Sequence, residues 1–205
     1  TQWLSNVMTS ANADPDVKWI FGTAHHPLRC ENLISDGSAY IRDQIIPVLR
    51  NSEKTAMYTS GHSHMYARGS NRDSAVWEVI SGGGGLIQNW NENPEKNYPD
   101  VQRSFDVWTY QIMDIDLDAG TMDVECYSIG NQEYVIENEL IDKFHRYFGK
   151  QKPAQPQLLP PADTMVALPH TFEGSNFFSP EGELYNATEF ELAGDRRLGV
   201  EPGEV

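Results

Sequence analysis

Cysteine is nearly absent from this chain. Cys30 and Cys126 are its two cysteines. They stand too far apart for a zinc-type pair, and neither has a Cys-x-x-Cys neighbour, which excludes thiolate clusters and a disulfide framework. Two buried thiols, or one disulfide in an exported protein, remain open. Positive charge is scarce as well: 15 Lys and Arg against 30 Asp and Glu leave a net charge of −15 at pH 7. Such a chain repels phosphodiester backbones and anionic membranes unless a local site reverses the field, so nucleic-acid binding through a basic face is excluded. No apolar run approaches the length of a membrane span, and no internal repeat is present. There is neither an initiator Met nor a signal-peptide pattern; Thr1 opens a helix-like stretch and reads as a cut or processed end.

What the chain does contain is histidine in two matched settings. Of six histidines, four lie in loops that follow short apolar strands. Trp19-Ile20-Phe21-Gly22-Thr23-Ala24 runs into His25-His26-Pro27, and Ala56 to Ser60 runs into Gly61-His62-Ser63-His64. Between them lies a helical stretch, as two parallel strands joined by a crossover require. In an open α/β sheet the carboxyl ends of neighbouring strands form the ligand crevice. Both histidine pairs would therefore face one crevice. Neutral imidazole is a ligand for zinc, iron and manganese. After Gly61 the backbone can turn, so His62 and His64 could serve one ion or two neighbouring ones.

The rest of the chain reads as elements around this pair. Gln2 to Ala11 has helical spacing, and Asn12 to Asp16 is a turn. Val17 to Phe21 reads as a buried strand. Ser38 is the expected N-cap of a helix over Ala39 to Arg50, with Tyr40, Ile41, Ile45, Val48 and Leu49 inward and Pro47 bending or ending it. Val76 to Ser81 is a strand closed by Gly82 to Gly85, a run that lets backbone approach a ligand or another segment closely. A loop over Ile87 to Phe105 carries Trp90 and Tyr98, candidates for a pocket wall. Val107–Asp116 and Thr121–Ile129 form a hairpin with Asp114, Asp116 and Asp118 on a solvated face. Ile136, Leu140, Phe144, Tyr147 and Phe148 predict a helix over Ile136 to Phe148.

At Gly149 the composition changes. Pro153, Pro156, Pro160 and Pro161 make residues 150–163 a stiff linker. The remainder, 164–205, is strand-like and too short for a core of its own; it wraps the first domain or opens a further module. Asn186-Ala187-Thr188 fits a glycosylation sequon, meaningful in an exported protein. His145 and His170 read as structural or solvent-facing.

Strand–His25-His26-Pro27, a helix, strand–Gly61-His62-Ser63-His64-Met65-Tyr66-Ala67-Arg68, then Ser81 and four glycines resembles the second half of a calcineurin-like metallophosphoesterase. The branch it is most similar to is the purple acid phosphatases, where Gly-His-x-His precedes a Tyr and an Arg. The resemblance covers residues 1–149 and implies the second half of an α/β/β/α sandwich. It also implies a dinuclear centre of two divalent or trivalent ions (Fe, Zn or Mn), which neutralise the ester's charge and activate a water. His25 and His62 would bind one ion and His64 the other; His26 would face the substrate phosphate or buttress His25. The family's Asp-x-His, Gly-Asp-x-x-Asp and Gly-Asn-His motifs are not in this chain. Neither is the substrate-facing histidine that purple acid phosphatases place about nine residues after the first ligand, in the zone of Glu31 to Asp36. The implied partners are a phosphate ester and an amino-terminal half of the same domain, from the same precursor or another chain. Two functions follow: the histidine half of a secreted, metal-dependent phosphoesterase, or an inactive relative with a structural or binding role in an extracellular assembly.

Overall fold

The computed structural model describes residues 1–70, 76–85, 93, 96–98, 100–148, 157–159 and 173–176. Helix α1 spans Gln2–Ala13 and ends where Asp14-Pro15 forces extended backbone at Asp14. Strand β1 is Ile20–Ala24, three residues later than its apolar onset suggests. Ser38 does cap the following helix: its hydroxyl oxygen accepts from the Ile41 N–H at 3.4 Å and its carbonyl from Arg42 at 3.0 Å. That helix opens into a π turn over Ile41–Ile45 and closes as α2 over Ile46–Arg50. Pro47 has no N–H to donate, and the wider turn just before it absorbs the missing bond. Ile41 and Leu49 point inward, together with the fully buried Ile46; Tyr40, expected inside, is 59% exposed.

Strand β2 (Thr55–Ser60) lies parallel to β1, so the crossover is as expected. Beyond it the chain departs from the sequence reading. Tyr66–Ser70 is a further strand, β3, antiparallel to β4 (Trp77–Ser81), and β5 (Arg103–Phe105) pairs with β3. The sheet order is β1-β2-β4-β3-β5, with β2 and β4 parallel. Most of the loop before β5, including Trp90, lies outside the described residues. Tyr98 sits 5.1 Å beneath the Arg29 guanidinium, where it packs locally.

The expected hairpin is β6 (Thr109–Asp116) and β7 (Thr121–Gly130). The helix predicted over Ile136 to Phe148 is not formed. That segment is a 13-residue strand, β8 (Val135–Tyr147), completing a three-stranded antiparallel sheet. A spacing of four between Ile136, Leu140 and Phe144 fits a strand's period of two as well as a helix turn. The pairing slips between Cys126 and Tyr127, which leaves Ile141 as a bulge and interrupts the alternation that would have marked a strand.

The two sheets and the helices make three layers. Met8, Leu28, Ile41, Ile46, Leu49 and Tyr58 form a core between the helices and the first sheet. A second core joins the sheets: Ala56, Met57, Tyr66 and Val79 meet Met122, Val124, Cys126 and Phe144. Through it runs one ion pair. Arg68 holds Asp142 by two hydrogen bonds of 2.6 and 2.8 Å, and the Tyr66 hydroxyl donates to the same carboxylate at 2.8 Å. Tyr66 and Arg68, the trailing residues of the histidine motif, thus lie buried between the sheets. Both cysteines are buried free thiols, so the disulfide alternative is not realised.

Residues 1–151 form one compact unit and 152–205 another. In the second, β9 (Leu158–Leu159) pairs antiparallel with β10 (Glu173–Gly174). The linker prolines, Asn186 and His170 lie outside the described residues.

Candidate metal centre

Strands β1 and β2 end in register, Ala24 beside Ser60. The next residues continue the ladder, with the Gly61 N–H donating to the His25 carbonyl at 3.1 Å. This bond ties the two histidine loops together at the carboxyl edge of the sheet. A second tie comes from below. Tyr58, 1% exposed, donates its hydroxyl to the His26 carbonyl at 2.7 Å. Burial, and then the nearby charge of Glu78, raise that phenol to about 12, so it stays a donor throughout the physiological range. Pro27 is buried, and its carbonyl accepts from Ser38 at 2.8 Å, anchoring the loop to the helix cap.

On the β2 side the chain folds back sharply. The Ser63 N–H donates to the Gly61 carbonyl at 2.7 Å across a three-residue turn with His62 at its centre. His62 has φ 62, a conformation that non-glycine residues rarely hold. Met65 bonds back to Ser63 in the same way at 2.8 Å. The turn packs on the glycine run: a Cβ on Gly82 would lie 1.7 Å from the Ser63 carbonyl oxygen, and the Gly82 N–H donates to Met65 at 3.0 Å. Backbone strain at one residue, held by its surroundings, marks sites where a side chain must be aimed.

The side chain so aimed meets the other loop. His25 Nε2 lies 3.1 Å from His62 Nδ1. The His26 ring centre is 4.3 Å from that of His62 and 4.9 Å from that of His25. One ring nitrogen from each of the three lies within 4.8 Å of the others, and among the described residues no carboxylate or thiol joins them. His25 and His26 are exposed and His62 half-buried. Desolvation lowers the His62 pKa, and the charges of His26, His25 and His64 lower it further. Both effects favour the neutral ring, the form with a lone pair to share.

His25, His26 and His62 are thus brought together from two loops, while His64 stands two residues on, half-buried and outside the trio. His145 is elsewhere, on β8 beside Tyr147. Cys30 lies behind the loops against Met65, and burial raises its thiol pKa, which disfavours a thiolate ligand. Sequence reasoning passed over Tyr58 as a support of the site; no local signal marks a tyrosine whose partner is 32 positions away.

The donor set suits borderline transition ions, whose bonds to imidazole are about 2.0–2.1 Å long. Two ligands of one tetrahedral ion then stand about 3.3 Å apart. The His25–His62 separation of 3.1 Å is close to that value. The residues present therefore fit a metal of this class.

No family model matches the chain, and no curated protein matches it. Solved structures do. The chain is similar to GAP50, the anchor in the inner membrane complex of Plasmodium, at 17% identity and TM-score 0.56, over 73% of this chain and 42% of that one. It is similar to a purple acid phosphatase from yellow lupin (Lupinus luteus) seeds at 14% identity and TM-score 0.51, over 71% and 28%. PhoD matches at 14% identity and TM-score 0.48, over 72% and 32%. This chain spans less than half of each. The likeness to the first two shows the fold alone, a partial α/β sandwich.

Proposed function

We propose that this chain supplies the histidine side of a metal-dependent phosphoesterase centre. The reading is carried by the meeting of His25, His26 and His62 at the carboxyl ends of neighbouring parallel strands, with His25 Nε2 3.1 Å from His62 Nδ1. A phosphate ester repels nucleophiles through its own charge; bound cations neutralise that charge and activate water for attack. The residues of this chain contribute position. His25 and His62 would hold one ion, and His64, two residues on, would serve a second. The γ-turn at His62 and the Tyr58–His26 bond fix the imidazoles before any ligand arrives, so little reorganisation is left for binding. The carboxylate ligands come from an amino-terminal half of the same sandwich, on the same precursor or a second chain.

A secreted or extracytoplasmic setting accords with this reading, and no described helix is long and apolar enough to cross a membrane. The second reading is an inactive relative with a structural role. Two observations favour it: no carboxylate stands in the histidine trio among the described residues, and GAP50, of similar fold, is an anchor. The deciding experiment is hydrolysis of p-nitrophenyl phosphate by the full-length polypeptide, with its metal content measured. Metal-dependent turnover that disappears in His62→Ala is the expected result. A polypeptide that is folded and metal-loaded yet leaves the ester intact would establish the structural role.

A further inference from the structure

The resemblance has His26 facing the substrate phosphate or buttressing His25. The His26 ring, however, lies as close to His62 as His25 does: the ring centres are 4.3 and 5.0 Å away. The backbone on which it sits is held from beneath by Tyr58 and beside it by the buried Pro27. We propose that His26 is a metal ligand, and that His25, His26 and His62 together bind one zinc-class ion without any residue from outside the chain. This deepens the phosphoesterase reading by naming the ion and its ligands, but its test does not depend on catalysis.

Three features carry the proposal. The nitrogens come from two loops bonded to each other through Gly61 and His25, so the site does not wait on folding of a distant segment. They lie within 4.8 Å of one another, and the tightest pair already has the spacing of two ligands on one ion. All three are imidazoles. Such a set, with no carboxylate among the described residues, favours Zn²⁺, Co²⁺, Ni²⁺ or Cu²⁺ over Mg²⁺ or Ca²⁺, which demand oxygen. Three protein ligands leave a fourth tetrahedral position, and the exposure of His25 and His26 leaves that position open to solvent, as in zinc sites that work on a substrate.

The test is a Co²⁺ and Zn²⁺ titration of the untagged chain, Thr1 to Val205, read by calorimetry and by the visible absorption of tetrahedral Co²⁺. One equivalent should bind, with intense cobalt bands and no response to excess Mg²⁺. Loss of partners that only orient a ligand weakens metal binding about 10–100-fold, so His26→Ala should weaken it at least as much. His145→Ala, which removes a histidine remote from the trio, should change neither affinity nor spectrum. A hydrogen-bonded imidazole pair with no metal function would give no binding and would overturn the proposal. Affinity that survives His26→Ala but falls in His64→Ala would overturn it too, in favour of the family arrangement. Tight binding through the trio by a polypeptide that hydrolyses nothing would uphold this site and overturn the phosphoesterase reading alone.

Discussion

Gly82→Ala is the sharpest test of how the site is built. The new methyl would stand 1.7 Å from the Ser63 carbonyl oxygen and 2.7 Å from its carbon, where real contacts essentially never fall below 3.0 Å. One side must therefore move by about 1.3 Å, the difference between those limits. Neither side is loose. Ser81, just before, is paired with Tyr66 in the sheet, and Ser63 is fully buried between His62 and His64. Overpacking of this kind costs about 1–3 kcal/mol of stability. The shift falls on the turn that aims His62, and disturbing what orients a ligand weakens metal binding about 10–100-fold. Cobalt or zinc affinity should fall by about that factor, while urea denaturation shows the moderate loss of stability. Gly84→Ala is the control, since nothing lies within 4 Å of its added methyl. A Gly82→Ala protein that binds metal with wild-type affinity would refute the claim that this contact positions the histidine turn.

Two further outcomes test the frame beneath the site. Asp142→Ala strips the buried Arg68 of its carboxylate and should cost about 3–5 kcal/mol in urea denaturation; adding Arg68→Met should recover much of it, because the buried charge is then gone. Glu78 is 6% exposed, and burial raises its pKa from 4.5 to about 7 despite the Arg50 guanidinium at 2.5 Å. Burial prevails because Arg50 is partly solvated and also faces Asp100 at 3.7 Å, whose charge opposes a second anion. The folded protein thus holds this proton more tightly than the unfolded chain, so the stability this group contributes is fully present below pH 4.5 and is lost as pH rises through about 7. Glu78→Gln should remove that decline, worth on the order of a few kcal/mol, and its stability relative to wild type should rise across the same window. A pH-independent difference between the two proteins would disprove it.

What the sequence made legible is what local chemistry encodes. Short apolar runs ending in His25-His26-Pro27 and Gly61-His62 announce strand ends, and a helix between them announces a parallel pair; β1, β2 and α2 confirm this. The hairpin of β6 and β7 was readable because alternation over Thr109–Asp116 meets a turn closed by Gly120. Strand β8 was not, because its apolar spacing of four serves two periods and its bulge hides the one that applies. Strand β3 was overlooked for a different reason. Tyr66, Ala67, Arg68 and Gly69 are all buried, and an arginine among them argues against a core strand until its partner Asp142, 74 positions away, is known.

The same limit separates the ligands of the site from its supports. In Gly61-His62-Ser63-His64 the eye falls on Gly61 as the residue that lets the backbone turn. Yet a methyl there would meet nothing within 4 Å, and the positive φ belongs to His62 itself. The glycine that matters is Gly82, just past the end of β4, because it leaves room for the Ser63 carbonyl. A histidine held in a left-handed turn costs about 1–3 kcal/mol relative to relaxed backbone. That cost is sustained here by the Gly61–His25 bond, the Met65–Gly82 bond and the packing of buried Ser63, all of them contacts made after folding. Residue type discloses which atoms can bind an ion; the strain and the contacts that sustain it disclose that they are aimed. The two lines of reasoning meet at His62, the one residue that is both a readable ligand and a strained one.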